Sequence, residues 1–213
     1  MNKIRDLEQV VDVAARVFAE KGYTAARLED VAAELGVLKG SLYYYISGKN
    51  ELFFLVLQRR LTVILEKVQH VAASGASPTD KLVEAMRLHL HYLAEFSPES
   101  SQWFHPELVG PQPPPLPNDL MRRYKWTFAN ILREGVANGE FRDDLNVSIA
   151  TLGVLGVINW PTQWYKKDGK QTIEEICDTL IPMVVAGLRR DGRTASSATP
   201  APASTVLAGS QGD

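Results

Sequence analysis

Apolar residues recur at helical spacing along the chain, and β-branched residues never alternate with polar ones over a useful length, so the pattern predicts an all-α protein. Ile4, Leu7, Val10, Val11, Ala14, Val17 and Phe18 make the buried stripe of a first helix that stops at Gly22, a residue suited to a left-handed C-cap. A short second helix carries Leu28, Val31, Ala32 and Leu35 and stops at Gly36. Lys39 to Tyr45 follows as a third, and two short helices about a glycine turn fit a helix-turn-helix.

A longer helix is expected from Ser47 to about Ala73, with Leu52, Val56, Leu61, Leu65 and Val68 inward. Ser77-Pro78 reads as an N-cap with proline at the first helical position, opening a helix through Leu82, Met86, Leu90 and Leu93 that Pro98 closes. A short turn of helix is expected at Glu99 to His105. Six of the twelve prolines then fall between Pro106 and Pro117, which predicts a stiff extended loop. A helix from near Asn118 places Leu120, Tyr124, Phe128 and Ile131 in register and ends at Asn138-Gly139. Asn146 caps a segment from Val147 to Tyr165 that is apolar almost all round and must be covered on most sides. Thr172 and Glu175 form a capping box for a last helix through Ile173, Ile176, Leu180, Val184 and Leu188, with Pro182 as an expected kink. Of the last 23 residues 17 are Ala, Ser, Thr, Pro or Gly, too little to bury, so this tail is expected to be disordered. The division is therefore a head over 1–47, a larger helical domain over 48–190 and a tail over 191–213.

Composition narrows the function. At 45% hydrophobic and 23% charged, the 213 residues read as a soluble globular protein. A single cysteine excludes an intrachain disulfide or a cysteine zinc cluster, no signal-like segment opens the chain, and the longest apolar run is too short to span a bilayer. The expected setting is a reducing cytoplasm, with no membrane partner. Net charge is −2, so any case for nucleic acid must be local.

That local case lies between Leu35 and Asn50, which holds two cations, Lys39 and Lys49, and no acid, although residues 1–50 carry seven of each sign. Successive helical positions point about 100° apart, so at most one or two of Tyr43, Tyr44 and Tyr45 can face a core. The others are available to phosphates, sugars and thymine methyls.

Through Phe18-Ala19-Glu20-Lys21-Gly22-Tyr23, Leu28-Glu29-Asp30-Val31-Ala32 and Leu35-Gly36-Val37-Leu38-Lys39-Gly40-Ser41-Leu42-Tyr43-Tyr44-Tyr45, the sequence resembles the TetR-like transcriptional regulators. The resemblance covers about the first 55 residues. It implies a three-helix DNA-binding head, a variable helical domain that binds a small-molecule effector, and a homodimer formed by the last two helices. By position it puts DNA contacts on Arg27, Lys39, Gly40, Ser41, Tyr43, Tyr44, Tyr45 and Lys49. Arg27 and Leu38 stand where the family commonly has a small hydroxyl cap. Arg27 is expected to meet a phosphate instead, and Leu38 a thymine methyl in the major groove.

The larger domain is rich in aromatics. Trp103, Phe104, His105, Trp126, Phe128, Trp160, Gln163 and Trp164 are candidates to line an effector site. Trp160 and Trp164 would share a helical face. Asn159-Trp160, Trp164-Tyr165, Asp168-Gly169 and Ile173-Glu174-Glu175-Ile176 resemble a TetR subset that responds to acyl-CoA thioesters, though Gln163 replaces a frequent basic residue and Pro161 interrupts the helix. Lys166 and Lys167 are candidates for a nucleotide phosphate. Val157, Trp164, Tyr165, Ile173, Ile176, Cys177, Leu180 and Val184 are the expected dimer interface.

No catalytic constellation, metal-ligand spacing or cofactor motif stands out; His89 and His91, two apart on a helix, point to different faces. The expectation is a ligand-responsive repressor on a palindromic double-stranded operator. The alternatives are an all-α small-molecule enzyme, which the lack of a catalytic constellation argues against, and a helical dimerisation protein without DNA binding, in which the tyrosine cluster would lack a purpose.

Overall fold

The computed structural model describes residues 4–95 and 118–190. The described residues form eight α-helices: α1 Leu7–Ala25, α2 Leu28–Leu35, α3 Lys39–Leu42, α4 Lys49–Ala72, α5 Pro78–Ala94, α6 Asn118–Ala137, α7 Val147–Asn159 and α8 Ile173–Leu188. They are joined by one isolated antiparallel bridge, Phe141 to Arg189. The all-α expectation holds. The candidates Trp103, Phe104 and His105, the proline-rich stretch and the C-terminal tail lie outside the described residues.

Two hydrophobic cores organise the chain. The first joins Val10, Val13, Ala14, Val17 and Phe18 of α1 to Leu28, Val31 and Leu35 of α2, to Leu42 and Ile46, and to Leu52, Phe53, Val56 and Leu57 of α4. The head's core therefore runs past residue 47, because the first turns of α4 present an apolar stripe to α1. The second core takes Ile64, Leu65 and Val68 from the far half of α4 and adds α5, α6, α7 and α8. One unbroken helix thus serves both.

Local chemistry explains most boundaries. Asp6 accepts from the Gln9 backbone N–H to start α1, and Ser77 does the same for Asp80 at the start of α5, with Pro78 next. Thr172 and Glu175 close their capping box on α8. Gly36 sits in the left-handed region (φ 69°, ψ 32°) and ends α2, as its lack of Cβ allows.

Four sequence readings need correction. Gly22 has φ 72° but ψ 160°, an extended kink rather than a left-handed cap, and one more turn follows it to Ala25. The third helix is a single turn ending at Leu42, with Tyr43 to Tyr45 in a turn whose Tyr45 and Ile46 N–H groups both donate to the Leu42 carbonyl. Gly48 rather than Ser47 stands at the head of α4, while the Ser47 hydroxyl and N–H both bond to Glu51. The segment from Asn146 does not stay helical to Tyr165: α7 stops at Asn159, and Trp160–Gln163 tightens into a 3-10 turn because Pro161 has no N–H to offer an α-helical ladder.

Candidate nucleic-acid interface and effector domain

The head shows how a one-turn helix is held. Leu42 and Ile46 are buried between α1, α2 and α4, and this anchors the segment from below. Most of its other side chains point outward. Leu38, at the N-cap with no side-chain capping bond, is 65% exposed, and Tyr44 is 90% exposed. Tyr43 is also exposed. Tyr45 differs: it packs against the head core and its hydroxyl donates to the Ile4 carbonyl at 3.4 Å, so it braces the segment rather than joining the outer face. Gly40 is exposed, and a Cβ built on it would meet nothing within 4 Å, so no intramolecular contact demands a glycine there.

Arg27 makes no side-chain capping bond, and only the reciprocal bond of a capping box is present: the Arg27 N–H donates to Asp30 Oδ2 at 2.8 Å, and the Arg27 side chain is exposed. Lys39 is not an isolated cation. Its Nζ lies 2.9 Å from Glu29 Oε1 on α2, and the Tyr43 ring centre is 6.0 Å away. The hydrogen bond from Lys39 holds the Glu29 carboxyl below its ordinary value, and Glu29 in turn raises Lys39. Lys49 turns back onto the protein. Its ammonium sits 4.3 Å over the Tyr23 ring and donates to the Thr24 carbonyl at 3.2 Å. Burial, and then the nearby Arg27, lower its pKa. Of the two cations in the stretch, Lys39 is therefore paired with an acid of α2 and Lys49 is turned back onto the protein.

In the larger domain the aromatic candidates separate. Phe128 is fully buried, its ring centre 5.4 Å from that of Tyr124, and belongs to the core rather than to an open site. Trp126 is 61% exposed on the outside of α6, and Trp160 and Trp164 are exposed on and just after the 3-10 turn. They do not share a helical face, because the helix has ended before them. Gln163, Lys166 and Lys167 are exposed beside them.

The interface candidates separate too. Ile176 and Cys177 are buried in the core of the larger domain, where burial raises the Cys177 thiol. Tyr165, Ile173, Leu180 and Val184 are half-buried against that core, and Val157 is half-exposed. A further apolar surface lies on the outer face of α7. Ile149 at 68% and Leu152 at 55% exposure, Gly153, Gly156 and Trp160 follow one another at i, i+3, i+4, i+7 and i+11, and a Cβ on either glycine would meet nothing. Met183 on α8 is exposed as well.

Two buried polar groups stand in the larger domain, His89, whose place in a core its apolar helix allows, and Lys81, to which no sequence signal points. His89 is fully enclosed, with Nδ1 2.7 Å from the Tyr124 hydroxyl and Nε2 3.1 Å from Asn159 Oδ1. An amide oxygen only accepts, so Nε2 carries the proton and Tyr124 donates to Nδ1. Burial pushes the His89 pKa down to about 4. Lys81 is buried and forms a forked contact with Glu134 at 2.8 and 2.9 Å. No spacing pairs residues this far apart in the chain. The described residues hold no cluster of metal ligands, and none of their helices is long and apolar enough to cross a membrane.

An exposed recognition turn on a small helical head, carried by a larger helical body, defines a DNA-binding regulator. The comparisons agree. Residues 10–56 match the model for bacterial regulatory proteins of the tetR family, and residues 75–188 match that for the tetracyclin repressor-like C-terminal domain. The chain belongs to the TetR family.

It is 27% identical over 193 residues to the transcriptional repressor KstR2 of Mycolicibacterium smegmatis, covering 85% of this chain and 89% of that one. A TetR/AcrR-family regulator from Thermobifida fusca superposes with a TM-score of 0.71 at 26% identity, covering 86% of this chain and 98% of the other. The Bacillus subtilis regulator FadR, solved in complex with stearoyl-CoA, superposes with a TM-score of 0.69 at 23% identity, covering 85% and 99%. That last likeness is one of fold.

Proposed function

We propose that this TetR-family regulator is a homodimeric repressor, not an enzyme, released from a palindromic operator by an apolar acyl thioester. The observation that carries the DNA half is the division of the recognition segment. Leu42 and Ile46 hold it from within, while Leu38, Lys39, Gly40, Ser41, Tyr43 and Tyr44 remain available from outside. In this reading Leu38 and the two outer tyrosines meet base edges and sugars, Lys39 and Arg27 meet phosphates, and Tyr45 and Lys49 set the angle of the turn.

The dimer is argued from α7. An apolar stripe containing two open glycines lets a second helix approach closely, and a stripe this apolar is rarely left to water. Two heads joined through α7 and α8 would enter successive major grooves about 34 Å apart. Residues up to the first turns of α4 form the DNA-binding unit, and those from there to 190 the effector and dimerisation unit. The effector class rests on Asn159-Trp160 and Trp164-Tyr165, supported by the stearoyl-CoA that the Bacillus subtilis neighbour holds. Trp126, Trp160, Gln163 and Trp164 are the described candidates for its exposed portion. A ligand that prefers splayed heads would weaken operator binding, and the operator would weaken ligand binding by the same factor.

Gel shifts on the DNA upstream of its own gene, with and without long-chain acyl-CoA, test the reading. Release of a retarded band by the thioester but not by the free fatty acid is expected. Retardation unaffected by any acyl-CoA would overturn the effector assignment. Leu152→Glu should give a monomer by sedimentation and abolish the retarded band; a dimer that survives it would overturn the interface.

A further inference from the structure

Most basic side chains of the head are already held by an acceptor of the same chain. Arg16 pairs with Glu34 at 2.7 Å, Lys21 with Asp30 at 2.7 Å, Arg59 with Asp12 at 2.8 Å, and Lys49 with the Thr24 carbonyl. Three of the acids, Glu29, Asp30 and Glu34, come from α2, the helix before the recognition turn. One of these pairs sits on the recognition turn itself. Lys39 is the first residue of α3, and its Nζ is 2.9 Å from Glu29 Oε1, with both side chains substantially exposed. The α2 cap does not need Glu29, since Asp30 supplies the bond to the Arg27 N–H.

We infer that Glu29 competes with DNA phosphate for Lys39 and so sets the affinity of the head for DNA, being displaced in full where the turn is held against the operator. This rests on the reading of Lys39 as a phosphate contact. On arbitrary duplex DNA, binding is little more than neutralised phosphates, so a lysine that must first leave a carboxylate contributes less. Its departure also leaves a bare carboxylate that recruits a cation from solution, cancelling part of the counterion release that a phosphate contact brings. On the operator, base-edge contacts from neighbouring residues hold the turn against the groove, and the exchange is driven by them. The operator complex, in which the exchange is complete, therefore bears the whole cost of the lost ion pair, and other DNA bears at most the same cost.

The test uses the full-length protein and fluorescence anisotropy on two short duplexes, the operator and a scrambled sequence, at several salt concentrations. Glu29→Gln keeps the side chain's shape and removes its charge. It should tighten operator binding about two- to fivefold, the scale of one exposed ion pair, and tighten scrambled-DNA binding by no more than that. The slope of log affinity against log salt should steepen for scrambled DNA by up to about 0.9, the increment of one phosphate contact. Lys39→Gln should weaken both duplexes, and adding Glu29→Gln to it should change nothing further. If Lys39→Gln weakens binding but Glu29→Gln leaves affinity and slope unmoved, the competition is wrong and the Lys39 contact stands. If Glu29→Gln tightens binding equally in the Lys39→Gln background, Glu29 repels DNA through space and the inference is overturned. If Lys39→Gln changes neither duplex, the phosphate contact itself is wrong and the inference goes with it. A melting temperature unchanged in Glu29→Gln excludes a structural origin.

Discussion

The ammonium of Lys49 lies 4.3 Å above the centre of the Tyr23 ring, and the Tyr23 hydroxyl bonds to Asn50. Two adjacent residues at the start of α4 therefore grip one aromatic at the end of α1. The same ring packs 4.4 Å from Phe53, so a polar clasp and an apolar cluster share one side chain. Tyr23→Leu removes the cation–π contact, the hydroxyl bond and most of the ring packing. A loss of about 2 to 4 kcal/mol is expected in urea unfolding, near the range for large-to-small aromatic changes. Tyr23→Phe, which keeps the ring, should lose only about 1 kcal/mol.

Acid should loosen the effector domain before it titrates most carboxylates. The folded pKa of His89 is about 4, below the ordinary 6.5, so between these values the unfolded chain binds a proton that the folded chain refuses. The contribution is fully present above about pH 6.5 and declines as pH falls toward 4, amounting to about 3 kcal/mol over that window. Protonation would also set two donors, Nδ1–H and the Tyr124 hydroxyl, face to face. Chemical denaturation of wild type and His89→Gln at pH 7.5 and 5 checks this: wild type should lose more stability between the two pH values than the variant. Equal losses would contradict it.

Gly135 has no room for a side chain. A Cβ there would lie only 2.1 Å from Cδ2 of the Phe141 ring, which is itself fully buried where the chain turns after α6. Gly135→Ala should destabilise by about 2 to 4 kcal/mol, an overpacking cost at or above its usual range because the ring has nowhere to retreat. Phe141→Leu in the same chain should recover part of that loss, so the double variant is more stable than the sum of the single costs. Thermal unfolding of the three variants measures it.

Gly40 makes the opposite case. With open space around its Cα, Gly40→Ala should leave the fold as stable as before or add up to about 1 kcal/mol, the usual helix preference for alanine over glycine. Operator affinity should nonetheless fall, since the added methyl faces the DNA side. Stability and affinity moving in opposite directions is the expected signature, read by melting temperature and anisotropy on one preparation.

The fold was legible because its signals are local. Ser77-Pro78, Thr172 with Glu175, and Gly36 each announce a helix end through chemistry within four residues, and the apolar periodicity supplies what lies between. Legibility failed where the outcome depends on distant partners. Lys39 looks like a free cation until α2 brings Glu29 beside it, and the burial of Cys177 follows only from the assembly of the second core around it. The face of α7 that the protomer leaves uncovered could not be chosen from its sequence, since that helix is apolar nearly all round and only the packing of α5, α6 and α8 decides which side remains. Pro161 did give warning that the two tryptophans would part company.

The passage of α4 through both cores without a loop sets a rule for how this chain can vary. Leu57 closes the head core and Ile64 opens the second, with continuous helix between them. Inserting one residue there would turn the head by about 100° and advance it about 1.5 Å, which would swing the recognition turn to another side of the molecule. Seven inserted residues would nearly restore the angle but lengthen the strut by about 10 Å. Length changes are therefore barred from this stretch while substitutions on its solvent side are free, and any hybrid that joins this head to another body has to keep the helical phase across residues 57–64.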